Sequence, residues 1–220
     1  MIIAIDGPSG AGKSTLAKML AAKMGIIYVD TGAMYRAVGC YALGKNIPTD
    51  DWERVTELLP EIELEIKFIS GEQRIYCNGE DYSETIRRPE ASMAASNVSA
   101  IPAVRAFLLD LQRDFGRRHS IVMDGRDIGT VIFPDAGIKI FLTATSDDRA
   151  RRRYEEQIAK DFDVDYNTVL ADIIRRDEND SSRATAPLKP ADDAIILDTT
   201  GNDVEKSFKE IYSICMDNCK

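Results

Sequence analysis

Gly7-Pro8-Ser9-Gly10-Ala11-Gly12-Lys13-Ser14 is the stretch that decides the fold of this 220-residue chain, because it fits G-x-x-x-x-G-K-[ST] at every fixed position. The apolar, β-branched residues 2–5 precede it, which is typical of a buried parallel strand. Residues 15–24 follow with apolar side chains at helical spacing. In such a strand, loop and helix, backbone N–H groups and the positive end of the helix converge on an anion. The sequence therefore predicts a nucleoside triphosphate site.

This motif and one later aspartate predict the residues that hold ATP and Mg²⁺. Lys13 is expected to reach the β- and γ-phosphates as a catalytic group, and the Ser14 hydroxyl to bind Mg²⁺. Asp124 ends another apolar run and is expected to join Ser14 at the metal, directly or through water; capping of the next loop is an equally weighted alternative. The predicted ATP-binding residues are Gly7, Pro8, Ser9, Gly10, Ala11, Gly12, Lys13, Ser14 and Thr15.

The rest of the chain alternates between strand and helix patterns, which predicts an α/β protein. Further buried strands are expected at residues 26–29, 121–124, 138–142 and 194–198, giving a five-stranded parallel sheet flanked by helices, the P-loop NTPase fold. Residues 63–69 instead alternate polar and apolar side chains. The turn signals Ser70-Gly71 and Asn78-Gly79 follow, with residues 74–77 between them, which predicts a small inserted antiparallel meander at about 61–84. We expect one domain over residues 1–220, containing an inserted acceptor-side subdomain at about 61–100 and a lid at 147–183. The lid is predicted as two arginine-rich helices, the first capped by Ser146 and the second spanning about 167–180.

Composition limits the partners and the compartment. A net charge of −9 argues against binding a nucleic-acid polymer, and no apolar run approaches membrane-spanning length. The first strand begins at the N-terminus, which leaves no room for a signal peptide, and the four cysteines form no C-x-x-C pair. We therefore expect a cytoplasmic protein with free thiols. Nothing in the sequence demands a dimer, so a monomer is expected, and His119 is expected at the surface.

Arginines at three places in the chain predict a second phosphate site beside the triphosphate. Arg36 follows the second strand within Asp30-Thr31-Gly32-Ala33-Met34-Tyr35-Arg36, and Arg126 follows the third strand within Asp124-Gly125-Arg126-Asp127. Both should face the crevice at the carboxyl ends of the strands, where the guanidinium fork matches a phosphate. Arg176, Asp180 and Arg183 have i, i+4, i+7 spacing, which predicts one helical face; a structural ion ladder is the alternative.

Taken together, these blocks resemble those of the bacterial cytidylate kinases, a family of nucleoside monophosphate kinases. The resemblance covers essentially the whole chain. The segments that carry the resemblance are the P-loop at residues 7–14, residues 30–36, residues 124–136, and Arg176-Asp177, Asp180 and Arg183 followed by Ala186-Pro187-Leu188. It implies transfer of the γ-phosphate of ATP to CMP or dCMP.

The resemblance also implies the role of each substrate-binding residue. Arg36, Arg126 and Arg183 would hold the acceptor phosphate, and Arg176 and Asp180 the sugar hydroxyls. The base pocket would be lined by Thr31, Ser96, Arg105 and Asp127. Threonine stands at position 31, where serine is also usual in the family. The lid arginine that covers ATP stays open among Arg149, Arg151, Arg152 and Arg153.

Elementary chemistry supports these roles. Cytosine offers an amino donor beside two acceptors, which suit a carboxylate at Asp127 and a guanidinium at Arg105. The acceptor phosphate is already ionised near neutral pH, so no general base is needed. Catalysis would then consist of positioning and of charge neutralisation by Mg²⁺, Lys13, Arg126 and Arg183.

Two other functions compete with this interpretation. A P-loop kinase that phosphorylates a metabolite alcohol would need a carboxylate base, for which Asp30 or Asp127 is available. A nucleotide-dependent switch that reads guanine would carry N-K-x-D, and the chain has no Asn-Lys dipeptide. The pair Arg36 and Arg126 favours a phosphate acceptor over a hydroxyl.

Overall fold

The computed structural model describes residues 1–69 and 71–218. The first residue of the predicted Ser70-Gly71 turn and the thiol of Cys219 lie outside the described residues. The strands in this part are Ile2–Asp6 (β1), Ile27–Asp30 (β2), Leu64–Ile69 (β3), Glu72–Cys77 (β4), Glu80–Asp81 (β5), Ile121–Gly125 (β6), Ile138–Thr143 (β7) and Ile195–Asp198 (β8). The α-helices are Lys13–Met24 (α1), Thr31–Gly44 (α2), Trp52–Leu58 (α3), Pro89–Ser99 (α4), Pro102–Arg118 (α5), Ser146–Ile158 (α6), Tyr166–Ser181 (α7) and Val204–Asn218 (α8).

The main sheet has five parallel strands in the order β2-β6-β1-β7-β8. All five strand runs predicted from the sequence pair in it, so the predicted α/β fold is confirmed. Because the strands are parallel, their carboxyl ends meet at one edge of the sheet. Asp30 ends β2 directly beside Asp124 of β6, and Asp6 ends β1 beside Gly125. The three strands that precede the predicted phosphate-binding residues are therefore neighbours.

Helices cover both faces of the sheet, and the alternation along β1 shows how. Ile3 and Ile5 point into a core shared with α1 and α8, whereas Ala4 points into the core shared with α2, α4 and α5. A strand buried on both faces must be apolar at every position, which is why residues 2–5 read as a continuous apolar run.

The predicted meander is a separate three-stranded antiparallel sheet, β3-β4-β5. Its second turn is a two-residue hairpin loop, since Cys77 pairs with Glu80 across Asn78 and Gly79. Both loop residues have positive φ, 51° and 82°, as the type I′ hairpin turn requires, and this is why the Asn-Gly pair predicts the hairpin.

The two lid helices lie close to their predicted bounds, with two corrections. The side chain that caps α6 is Thr145, whose Oγ1 accepts from the Asp148 N–H, so the predicted cap at Ser146 is wrong by one residue. Helix α7 ends at Ser181, so Arg183 lies beyond the helix and does not share a helical face with Arg176. The helices pack through the buried side chains of Ala150, Val169 and Ile173.

Several elements of the described residues were not expected from the sequence. They are the helices α3 and α4, two short 3-10 helices at Leu59–Glu61 and Thr85–Arg87, and a π-helical turn at Ile128–Ile132. No single helix in the described ranges is long and apolar enough to cross a bilayer; α4 and α5 meet that criterion only as a pair bent by 101°.

Candidate active site

The loop between β1 and α1 depends on glycine for close approach. At Gly7, where φ is 147°, a Cβ would lie 1.9 Å from the Leu142 carbonyl oxygen of β7. Gly10, at φ 77°, lies against the lid, where a Cβ would come 3.0 Å from the Arg149 Cβ. Gly12 begins α1 in a left-handed conformation, with no side chain capping the helix. The N–H groups of the first turn therefore have no side-chain oxygen of their own, which is the arrangement that binds phosphate.

Lys13, Ser14 and Asp124 meet next to this loop. Lys13 is buried and its Nζ donates to the Pro8 carbonyl at 2.7 Å; burial, and then the charge of Arg126, hold its pKa well below the ordinary value. Ser14 Oγ donates to Asp124 Oδ2 at 2.9 Å. Tyr28 OH donates to the other carboxylate oxygen at 2.8 Å. The sequence analysis did not identify Tyr28 as part of this site.

The start of α2 carries the next two predicted residues. Thr31 is buried, and its Oγ1 donates to the Asp124 carbonyl at 2.7 Å. Asp30 caps the helix by accepting from Ala33 N–H at 3.0 Å and binds Arg36 through its second oxygen at 2.7 Å. Arg36 is thus held at the carboxyl end of β2, and its side chain is 25% exposed.

Arg105 and Asp127, both predicted for a base pocket, form a buried ion pair with each other. Arg105 also donates to the Ser99 carbonyl at 3.3 Å, and its guanidinium lies 5.8 Å from the centre of the Tyr35 ring. Burial raises the pKa of Asp127, and the charge of Arg105 opposes that rise. The structure therefore brings these two side chains together, one a hydrogen-bond donor and the other an acceptor.

Asp180 lies at the centre of a second buried cluster. Its carboxylate accepts from Arg126 Nε at 2.7 Å, from Arg183, and from Ser96 Oγ at 3.2 Å. Burial alone would raise the pKa of Asp180, but the charges of Arg126, Arg183 and Arg176 lower it to about 2. Ser96, predicted for the base pocket, contacts Asp180 instead.

Arg176 completes this positive cluster. It donates to Ser9 Oγ of the loop at 3.1 Å and to Ser92 Oγ of α4. Burial, and then the charge of Arg126, lower its pKa to about 9. Within the described residues, the Nε atoms of Arg176 and Arg183 are buried without a hydrogen-bond partner. Buried guanidinium donors without partners are costly unless an anion accepts from them, so the cluster is suited to a phosphate.

The four lid arginines differ in what holds them. Arg149 donates to Asp177 at 3.1 and 2.6 Å and to the Ser9 carbonyl at 2.9 Å. Arg152 donates to the Thr199 carbonyl at 2.6 Å and, like Arg151, pairs with Asp148.

These residues surround one cleft of about 990 Å³. Of the predicted site residues only Gly7, Pro8 and Ser96 do not line it. Three of the four candidate lid arginines, Arg151, Arg152 and Arg153, also line the cleft. Its wall further includes Phe162 and Asn202, which the sequence analysis did not assign to a site. Carboxylates, guanidinium groups and a phosphate-binding loop thus share one cavity, which can hold two phosphorylated ligands.

Comparison with known proteins agrees with this geometry. A family model described as "Cytidylate kinase" matches residues 3–218. A protein named cytidylate kinase from Caldicellulosiruptor saccharolyticus is 47% identical over 212 residues, covering 96% of this chain and 94% of that protein. One of the same name from Bacillus subtilis is 45% identical over 204 residues, covering 93% and 91%. A crystal structure of an uncharacterized protein from Eubacterium ventriosum, 18% identical, superimposes with a TM-score of 0.54 and covers 99% of this chain and 98% of its own; it shows the fold alone.

Proposed function

The chain belongs to the cytidylate kinase family, and from this membership and the cleft we infer that it transfers the γ-phosphate of ATP to CMP or dCMP. The observation that carries the residue roles is the arginine cluster around Asp180, in which the Nε atoms of Arg176 and Arg183 are buried without partners. A dianionic phosphate at that cluster would accept from Arg183 Nε and balance the excess positive charge, and a sugar hydroxyl would accept from Arg176 Nε.

We propose that Arg36, Arg126 and Arg183 bind the acceptor phosphate. They come from different parts of the chain, and each is held by a carboxylate of the site, Arg36 by Asp30 and the other two by Asp180. Arg176 and Asp180 are proposed for the sugar hydroxyls. Ser96 supports this side of the site through its hydrogen bond to Asp180.

The cytosine base is proposed to bind at the Arg105 and Asp127 pair, with Thr31 beside it. Asp127 would accept from the cytosine amino group and Arg105 would donate to the ring acceptors. Uracil would set a carbonyl oxygen against Asp127 and leave a buried acceptor without a donor, which disfavours UMP.

The donor site is proposed at residues 7–15, where backbone N–H groups and Lys13 would bind the phosphates of ATP. The residues also fit Mg²⁺, because a hydroxyl at Ser14 and a single carboxylate at Asp124 leave the other coordination positions to phosphate oxygens and water. The described residues contain no cluster of three or more His, Cys, Asp or Glu side chains able to hold a metal. Bound Mg²⁺ would neutralise charge on the transferring phosphates.

The catalytic work of the chain is then positioning and charge neutralisation. We propose that Lys13, Arg126 and Arg183 stabilise the charge that spreads over the transferring group. Residues 61–100 are proposed as the acceptor-side subdomain and 147–183 as a lid that excludes water. A monomeric state and a cytoplasmic location stay predictions.

An alcohol-phosphorylating kinase is the less favoured alternative. Its base would have to be Asp30 or Asp127, and both carboxylates are engaged, Asp30 by Arg36 and Asp127 by Arg105. Neither carboxylate is therefore free to take a hydroxyl proton unless it first gives up its arginine partner.

The test is ADP release from ATP and Mg²⁺ with CMP, dCMP, UMP, AMP, GMP or dTMP as the only acceptor. We expect fast turnover with CMP or dCMP alone, and another preferred acceptor would show that the base pocket is assigned wrongly.

Arg126→Lys keeps the charge but loses the guanidinium fork, so it should lower kcat about a hundredfold while the KM for ATP stays unchanged. Arg118→Lys changes an exposed pair with Asp114 in the same way and should leave both constants unchanged.

A further inference from the structure

Gln73 of the inserted meander makes two hydrogen bonds to the backbone of a single residue of the main sheet. Its Oε1 accepts from the Asp30 N–H at 2.8 Å, and its Nε2 donates to the Asp30 carbonyl at 3.1 Å. The two residues are 43 positions apart in the chain. This contact joins β4 to the end of β2.

The position of Asp30 explains why the contact matters. Among the strands of residues 1–69 and 71–218, β2 pairs in the sheet with β6 alone. The N–H and carbonyl groups on its outer side therefore have no neighbouring strand in that part of the chain. A carboxamide offers one acceptor and one donor, as a peptide group does. The Gln73 side chain therefore makes the two hydrogen bonds that a residue of a neighbouring strand would make, at the point where β2 ends and α2 begins.

Asp30 connects the backbone contact with Gln73 to the start of α2 and to Arg36. Its side chain caps α2 through Ala33 N–H and holds Arg36 at 2.7 Å. The fit is tight, because a Cβ at Gly32 would lie 3.0 Å from Arg36 Nη1 and 3.1 Å from Asp30 Oδ1. A shift of the Asp30 backbone would therefore move both the start of α2 and the guanidinium.

From these contacts we propose that Gln73 is a positioning residue for the acceptor nucleotide, acting through Asp30 on Arg36. The inserted meander thus orients the arginine that binds the acceptor phosphate, which gives it a part in substrate binding. This inference rests on the proposed function, in which Arg36 binds that phosphate.

The test compares Gln73→Ala and Gln73→Glu with the unaltered protein. Glutamate keeps the size of the side chain but sets a carboxylate oxygen against the Asp30 carbonyl, so both variants lose the paired contact. We expect the KM for CMP to rise about tenfold in both, with the KM for ATP unchanged. The matched control is Arg74→Ala, which alters the residue next to Gln73 in β4. It removes only an exposed ion pair with Asp81 of β5 and should leave both KM values unchanged.

A double-variant cycle separates positioning from a general loss of structure. The Kd for CMP, measured by calorimetry, should rise in Gln73→Ala but show no further rise when Gln73→Ala is added to Arg36→Ala. Additive losses, an unchanged KM for CMP, or an equal rise in the KM for ATP would overturn the inference. Failure of the proposed function would appear in the unaltered protein as absent CMP turnover, whereas failure of this inference appears only between variants.

Discussion

Asp6, the last residue of β1, is a buried carboxylate whose surroundings contribute to the pH dependence of the protein's stability. It accepts from the Ile128 and Gly129 N–H groups, each at 2.7 Å, and so holds the loop that follows Asp127. Burial raises the pKa of Asp6 to about 7, although the two N–H groups oppose the rise. In the unfolded chain the same group titrates near pH 4.

This difference sets the sign of the pH dependence. Between about pH 4 and 7 the folded state keeps a proton that the unfolded state has lost, so Asp6 makes the free energy of unfolding fall as pH rises. The free energy of unfolding is measured by urea titration at pH 5 and pH 7.5. Between these two pH values, that of the unaltered protein should fall by up to about 3 kcal/mol more than that of Asp6→Asn. Asp163→Asn in an exposed loop is the control. A difference between Asp6→Asn and the unaltered protein that is the same at both pH values would contradict the assignment.

At the scale of single residues, the sequence predicts the site residues that belong to a local sequence motif. The loop glycines, Lys13 and the arginines belong to such patterns. Tyr28, Asp6 and Gln73 do not, because each has its role through a contact with a residue 96, 122 or 43 positions away. None of the three stands at a fixed position of a motif, so nothing local distinguishes them before the chain folds.

At the scale of elements, apolar periodicity predicts the strands and most helices but not α4. That helix consists mainly of small residues and packs so closely on α2 that a Cβ at Gly39 would lie 2.8 Å from the Ala94 Cβ. Such a contact depends on the shape of the partner helix. The sequence of α4 therefore has few large apolar residues at helical spacing from which the helix could be predicted. The predicted helical face shared by Arg176 and Arg183 is wrong because α7 ends at Ser181 and Arg183 reaches Asp180 from beyond the helix.

The structure does narrow the choice among the lid arginines. Arg149 and Arg152 are held by carboxylate and carbonyl groups, and Arg151 is largely exposed beside Asp148. Arg153 lines the cleft and is half-buried, and the described part of the chain gives its side chain no hydrogen bond or ion pair. We therefore propose Arg153 as the lid arginine that contacts the phosphates of ATP.

Arg153→Ala should lower kcat tenfold or more, by about 1.4 kcal/mol of lost charge stabilisation, since a guanidinium would be removed from the transferring phosphate. Arg151→Ala, two residues away, should change kcat less than twofold, because that side chain is 59% exposed and bound to Asp148. Steady-state kinetics with saturating CMP would compare the two. An equal loss in both variants would show that the lid acts through its total charge and not through Arg153.

At the scale of the whole molecule, α7 ties together the three parts that surround the cleft. Arg176 reaches Ser9 of the phosphate-binding loop and Ser92 of α4, while Asp180 reaches Arg126 after β6. The chain carries a net charge of −9, yet these cleft-lining arginines concentrate positive charge in one cavity. Such a distribution draws multiply charged anions to the cleft.

A single continuous cleft predicts how a linked ligand should bind. If ATP and CMP occupy its two ends with their phosphates meeting between them, adenosine and cytidine joined by five phosphates should fill both sites at once. The second site then binds at an effective concentration in the millimolar range, so the melting temperature should rise more than with ATP and CMP added together at the same concentration. The matching adenosine–guanosine compound is the control and should stabilise no more than ATP alone. Equal stabilisation by the two compounds would mean that the cytidine end makes no contact with Arg105 and Asp127, and the proposed base pocket would then be wrong.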